Sequence, residues 1–173
     1  MAEKHRKRYF IKEKEAEALL KEASKKLKKN LESLFNSKGG VELFETDFCE
    51  IFLVNGKPSF FKIGQNIYPT LTFDKALASM PKIVIDMGAV RHICNGANVM
   101  APGIVRFEGE FEKGDLVVVV DEKYGKPLAI GETFYDDNQI GRIKHGVVVK
   151  NVHFVGDKIW NLIKEMGLLP VNR

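Results

Sequence analysis

The sequence predicts an α+β N-terminal domain, followed by a mainly β domain with one short helix, and then a C-terminal helix. Three observations support this prediction: an amphipathic helical pattern near the N-terminus, an Asn-Gly pair between apolar β-formers, and several short β-rich segments after residue 81. We therefore expect an N-terminal domain at 1–81, a second domain at 82–158 and a C-terminal helix and tail at 159–173.

The first predicted element is a helix over 12–36. Its apolar residues recur at steps of three and four, which places them on one face with the lysines opposite. Lys38-Gly39-Gly40 is the expected end of the helix. The apolar residues are Ala16, Leu19, Leu20, Ala23, Leu27, Leu31, Leu34 and Phe35.

The rest of the N-terminal domain is predicted to be a three-stranded sheet and a short helix. VELFE, FCEIFLV and KPSFFKI are the strands, and Asn55-Gly56 joins the last two. An Asn-Gly pair favours a type I′ turn because both central residues need positive φ. The short helix is expected over 71–79, before Pro81.

The second domain reads as a small β-barrel or sandwich. KIVID is a predicted strand and GAVRHICNG a predicted short helix, and IVRF, DLVVVVD, PLAIGETF and VVVKNVHF are further strands separated by turn residues. The segment 116–120 is apolar without alternation, so we expect it to be covered on both faces. Asp136-Asp137 is read as a polar turn, and DKIWNLIKEMG as an amphipathic helix.

Charge is distributed unevenly along the chain. Residues 1–38 carry 12 Lys and Arg against 6 Asp and Glu, whereas residues 82–173 carry 12 of each. A basic N-terminal arm containing Lys4, Arg6, Lys7 and Arg8 can neutralise the phosphates of a polyanion. The alternative is a solvated face of a lysine-rich helix.

No membrane-spanning run or secretory signal is recognisable, and Cys49 and Cys94 form no CxxC motif. These features predict a cytoplasmic protein with no membrane partner.

An ordered set of motifs resembles the PUA domain, an RNA-binding domain found in many RNA-modifying enzymes and translation factors. The match covers about 82–158 and includes IDMGAVRHICNGANVMAPGIVRF followed by KGDLVVVVDEKYGKPLAIGE. The resemblance implies a PUA pseudo-barrel for this half of the chain. It also implies an RNA groove made by the short helix, the glycine loop after it, the next strand and a late strand.

Carried onto this sequence, that groove gives a set of candidate RNA-binding residues. Arg91 is the first choice because its guanidinium suits phosphates and base edges. The alternatives without a role in RNA binding are that the glycines serve only turns, that His92 is structural and that Met100 packs in the core. The helix and loop contribute Arg91, His92, Asn95, Gly96, Ala97, Asn98, Met100 and Pro102, and the late region contributes Arg142, Lys144 and His145.

The order of the N-terminal elements, with Tyr68-Pro69-Thr70-Leu71 before the PUA domain, resembles the malignant T-cell-amplified and ligatin-like family, in particular its archaeal members. Membership implies partners in translation: tRNA or rRNA, the small ribosomal subunit, or a translation-factor partner.

No catalytic motif, cofactor motif or metal-ligand cluster is recognisable in the sequence. His92 and Cys94 are two residues apart, so on a helix they point to different faces. We therefore expect a non-catalytic RNA-binding protein without cofactor or metal. Two alternatives stay open: an accessory RNA-binding subunit of a tRNA-modifying enzyme (an archaeosine transglycosylase or a pseudouridine synthase), and a protein-interaction module.

Overall fold

The computed structural model describes residues 5–34 and 39–170. They fall into two compact units, one made of the residues up to Phe73 together with those from Met166, and the other of Asp74–Glu165. Lys4, predicted to be part of a basic arm, lies outside the described residues, as do Phe35 and Lys38.

The N-terminal unit is a five-stranded antiparallel sheet with one helix packed on it. Its helix is α1 (Glu13–Leu27), and its strands, adjacent in chain order, are β1 (Lys7–Phe10), β2 (Val41–Glu45), β3 (Glu50–Val54), β4 (Lys57–Ile63) and β5 (Asn66–Pro69). The helix buries Ala16, Leu19, Leu20 and Ala23 against apolar side chains of the sheet, including Phe60. The burial of these apolar side chains stabilises the packing of the helix on the sheet.

The predicted three-stranded sheet was wrong because the sheet has two further strands at its edges, β1 and β5. All four side chains of β1 are exposed, so no alternation of apolar and polar residues marks it. Its strand conformation depends on antiparallel pairing with β2, in which Lys7 faces Glu45. Such pairing is a tertiary effect that local sequence does not encode.

The predicted helix over 12–36 was too long, since α1 ends at Leu27. Lys28 takes the left-handed conformation with φ of 54°, and the Leu31 amide donates to the Ser24 hydroxyl at 3.0 Å. A 3-10 turn follows at Glu32–Leu34. Leu31 is nevertheless buried in the same apolar cluster, so the apolar repeat continued past the point where the helix stopped.

The Asn-Gly hairpin prediction is confirmed. Asn55 and Gly56 have φ of 53° and 80°, and they join β3 to β4, as a type I′ turn requires.

The C-terminal unit is a mainly β sheet that curls into a partly open barrel, as predicted. The strand order is β7-β11-β10-β9-β6-β8, with β6 parallel to β9 and every other pairing antiparallel. The strands are β6 (Lys82–Ile85), β7 (Val99–Met100), β8 (Ile104–Glu108), β9 (Leu116–Asp121), β10 (Pro127–Thr133) and β11 (Val147–Phe154). The helices are α2 (Asp74–Ser79), α3 (Met87–Ile93), α4 (Asp137–Ile140) and α5 (Lys158–Glu165).

Most of these elements agree with the sequence. Every residue of β9 is buried, which confirms that this strand is covered on both faces. The helix expected over 71–79 is shorter and covers only Asp74–Ser79. The polar turn predicted at Asp136-Asp137 was wrong: Asp136 is the N-cap of α4 in a capping box with Gln139, which is a helix-start signal.

The C-terminal helix α5 begins at a polar pair made of His153, which is buried, and Asp157, which is partly buried. The Asp157 carboxylate lies 2.7 Å from Nδ1 of the fully buried His153 and accepts the Trp160 and Phe154 amides at 2.8 and 3.0 Å. Burial raises the pKa of Asp157, but its contacts with His153 and these amides outweigh that effect and leave the pKa below its usual value. The carboxylate therefore fixes the start of the helix.

Among the described residues no helix is long and apolar enough to cross a membrane.

Candidate nucleic-acid interface

The candidate surface is organised by α3. The Asp86 side chain caps the helix by accepting the Ala89 amide at 2.8 Å. Cα atoms four residues apart lie one turn apart on the same face, so Met87 and Arg91 project from one side of the helix. Both side chains are exposed, and His92 beside them is exposed as well. The helix therefore presents a cation and two other side chains to solvent.

The chain leaves α3 through a tight loop at Gly96. The amides of Asn95 and Ala97 both donate to the His92 carbonyl, at 3.1 and 3.0 Å. Gly96 has φ of 92°, and a Cβ there would lie 3.2 Å from the ring of Phe154. Both features favour glycine, so its selection here has a conformational reason and a packing reason.

Asn151 on β11 holds this loop, and sequence reasoning missed it. Its side-chain amide donates to the carbonyls of Ile93 and Ala97 at 3.1 and 3.0 Å, and its backbone amide donates to Oδ1 of Asn98 at 2.9 Å. A polar residue poorly suited to strands, in the middle of VVVKNVHF, was the available signal. Asn98 thus helps to position the loop, because its side-chain oxygen Oδ1 already accepts a hydrogen bond within the fold.

The late region predicted from sequence lies against the other end of this surface. Met100 and Val147 are register partners in the β7–β11 pair, and the Ala101 amide donates to the Gly146 carbonyl at 2.9 Å. This backbone pairing brings the segment containing Lys144 and His145 beside Met100 and Pro102. Met100 is 47% exposed, which rules out the alternative that it packs in the core.

Arg142 lies farther along the same connection. It follows Gly141, where a Cβ would be 3.9 Å from the ring of Phe107 on β8. In the segment that joins α4 to β11, Arg142 therefore lies near β8 and His145 lies near β7.

The electrostatics of this surface come from a few cations. Within residues 5–34 and 39–170, no hydrogen bond or ion pair engages the side chains of Arg91, Arg142 or Lys144, and all three are exposed. A cation without a protein partner is available for phosphate at no cost in broken contacts.

The basic arm belongs to the other unit. Arg6 precedes β1, which contains Lys7 and Arg8, and Arg8 is paired with Glu42. Because Glu42 already compensates Arg8, Lys7 is the β1 cation better placed to meet a polyanion.

Metal chemistry has no candidate in the described part of the chain, where no three His, Cys, Asp or Glu side chains are grouped to hold an ion. Burial raises the pKa of the Cys94 thiol, which disfavours the thiolate that a metal would need.

The curled sheet with α3 and its glycine loop defines a PUA domain, which is an RNA-binding class of domain. The PUA domain model matches residues 81–155, and that of a domain of unknown function, DUF1947, matches residues 7–73. A PUA domain from Aeropyrum pernix superposes with a TM-score of 0.82 at 28% identity, over 95% of this chain and 94% of that one.

Relatives that match most of the chain in sequence show which family it belongs to. An uncharacterized protein of Methanocaldococcus jannaschii is 39% identical over 90% of this chain and 96% of its own length. Translation machinery-associated protein 20 of Saccharomyces cerevisiae is 28% identical over 81% and 82%. Malignant T-cell-amplified sequence 1 of Danio rerio is 29% identical over 67% of each chain. The chain belongs to the PUA-domain family that contains these proteins, as its sequence motifs predicted.

Proposed function

We propose that this protein acts in translation as a non-catalytic RNA-binding protein that engages tRNA or the small ribosomal subunit. The observation that carries the proposal is Arg91, which is exposed on α3, has no ion-pair partner among the described residues and lies beside a glycine loop held in place by Asn151. The name of the yeast relative, translation machinery-associated protein 20, supports the translational setting.

The shape of the surface suits structured RNA. An RNA helix offers a wide, shallow minor groove with 2′-hydroxyls, and proteins read it through shape and backbone contacts. A short helix and a close-packed loop can approach such a groove, and Gly96 and Pro102 add little bulk at the contact. Arg91 then supplies a planar donor for phosphate or a base edge.

The proposed RNA-binding residues come from both units, and most of them lie in the C-terminal unit. Arg91 and His92 on α3, with Asn95, Gly96 and Ala97, form the first contact surface. Met100, Pro102, Lys144 and His145 extend it across β7, and Arg142 offers a further cation near β8. Lys7 of the N-terminal unit adds long-range attraction.

Binding is tested by fluorescence anisotropy with total tRNA and with purified small ribosomal subunits. We expect Arg91→Ala to weaken RNA affinity about tenfold, which corresponds to ~1.4 kcal/mol. Arg106→Ala is the matched control, because Arg106 is also exposed in the PUA domain but pairs with Glu108 at 3.3 Å. Equal losses of RNA affinity in both variants would show that α3 is not part of the RNA interface.

Association with the ribosome needs a separate measurement. In gradient sedimentation at low salt, we expect the protein to travel with small subunits and to be released by high salt, as electrostatic contacts are screened. Absence from small-subunit fractions, together with no tRNA binding, would overturn the proposal. If the protein alone modifies any nucleoside of unmodified tRNA, the proposal that it is non-catalytic is wrong.

A further inference from the structure

The hairpin between β9 and β10 presents an exposed aromatic ring that the interface above does not use. Tyr124 lies at its tip, and its side chain is 63% exposed, more than any other large hydrophobic side chain among the described residues of the PUA domain. A ring this exposed contributes little to folding, since most of its surface stays in water.

The tip is held in one conformation by a buried carboxylate. Asp121, only 4% exposed, accepts backbone hydrogen bonds from Tyr124, from Lys123 at 2.9 Å and from Lys126 at 3.0 Å. Gly125 supplies the left-handed residue of the turn, with φ of 65°. Burial raises the pKa of Asp121, but these amides outweigh it and lower the pKa overall, so the carboxylate stays charged at neutral pH. The ring is thus carried on a fixed backbone.

Two cations accompany the ring. The ammonium groups of Lys123 and Lys126 lie 5.0 and 5.6 Å from the centroid of the Tyr124 ring. Both ammonium groups lie over the ring, so a base that stacks on the same face displaces a lysine, and the displaced ammonium can then neutralise an adjacent phosphate. An aromatic ring accompanied by lysines is a combination that proteins use to bind single-stranded nucleic acid.

The hairpin tip is continuous with α3. The Glu122 carboxylate accepts the Met87 amide at 3.2 Å, and the Glu122 amide donates to the Ile85 carbonyl at 3.0 Å. Met87 is exposed and lies one helical turn, about 6 Å along the axis, from Arg91. An exposed strip therefore runs from Tyr124 through Glu122 and Met87 to Arg91.

We propose that Tyr124, with Lys123 and Lys126, is a second RNA contact that stacks on an unpaired base next to the helix engaged by α3. This inference rests on the proposed function and adds a second contact to it, at the tip of the hairpin between β9 and β10. Because stacking of a base on an aromatic ring strengthens binding, the extension should increase affinity about tenfold.

The test uses the full chain and two RNAs with the same stem-loop, one blunt and one with a two-nucleotide extension that contains 2-aminopurine. Extensions at the 5′ and 3′ ends are tried separately. We expect the wild type to bind one extended RNA about tenfold more tightly than the blunt one and to quench its 2-aminopurine fluorescence. Tyr124→Ala should abolish both effects and keep the affinity for blunt RNA, whereas Tyr124→Phe should keep both.

Phe134→Ala is the matched control. Phe134 is also an exposed aromatic residue, but it follows the opposite end of β10 from the hairpin tip. This variant should retain the preference for the extension. If Tyr124→Ala retains the preference and the quenching, or if the wild type binds blunt and extended RNA equally, the second contact does not exist and the proposed function stands. If the wild type binds neither RNA, the proposed function itself fails.

Discussion

Asn151 donates a 3.0 Å hydrogen bond from its side-chain amide to the carbonyl of Ala97, joining the last strand of the barrel to the loop after α3. A second bond from the same amide reaches Ile93 at 3.1 Å. These two carbonyl acceptors settle the orientation of the amide, and its buried Oδ1 accepts no hydrogen bond from the described residues. The loop conformation therefore depends on one side chain 54 positions away in sequence.

Replacing Asn151 tests this dependence. Asn151→Asp keeps the shape but cannot donate, so we expect a loss of ~1–3 kcal/mol in the free energy of unfolding and a parallel loss of RNA affinity. Denaturant unfolding and anisotropy measure the two effects. Asn161→Asp, which removes a single exposed bond to the Gly156 carbonyl, is the control and should change both quantities much less.

Gly96 should not tolerate a side chain. Gly96→Ala adds positive-φ strain and places a methyl group 3.2 Å from the Phe154 ring. Gly114→Ala is a matched control, because Gly114 has φ of 90° but nothing within 4 Å of its added Cβ. We expect the thermal midpoint to fall in both variants and farther for Gly96→Ala. The difference reports the Phe154 contact, and equal midpoints would show that the contact is tolerated.

The Asp157 pair should give acid-dependent stability. Because the pKa of Asp157 is lower in the folded state than in the unfolded chain, its stabilising contribution is present above the unfolded value, about 3.9, and is lost as the pH falls through the folded value. We expect Asp157→Asn to be less stable than the wild type at pH 7 and to lose less stability between pH 5 and pH 3. Thermal melts across this range measure the slope. Glu110→Gln removes an exposed carboxylate and should melt like the wild type at each pH.

The number of cations released on RNA binding should depend on Arg91. If its guanidinium neutralises one phosphate, Arg91→Gln should reduce the slope of log affinity against log salt concentration by about 0.7–0.9. Titrations at four salt concentrations give the slope. Arg106→Gln should leave it unchanged, because Glu108 already compensates that guanidinium. An unchanged slope for Arg91→Gln would mean that Arg91 reads a base or a sugar, or makes no contact.

The sequence by itself determined those parts that local chemistry specifies. The Asn55-Gly56 turn was predictable because positive φ at two adjacent residues is a property of those residue types. The buried strand β9 was predictable because an unbroken apolar run has no face to show to water. The order of the glycine motifs was enough to identify the PUA domain, and the N-terminal elements with Tyr68-Pro69-Thr70-Leu71 identified the family.

Only the tertiary structure decided the rest. Strand β1 exists because β2 pairs with it, and α1 ends at Leu27 because Lys28 turns left-handed and Ser24 accepts the Leu31 amide. The role of Asn151 and the meeting of Gly146 with Ala101 depend on contacts between distant segments. Residue type and spacing encode local backbone preference, whereas hydrogen bonds between distant segments depend on the tertiary arrangement that brings those segments together.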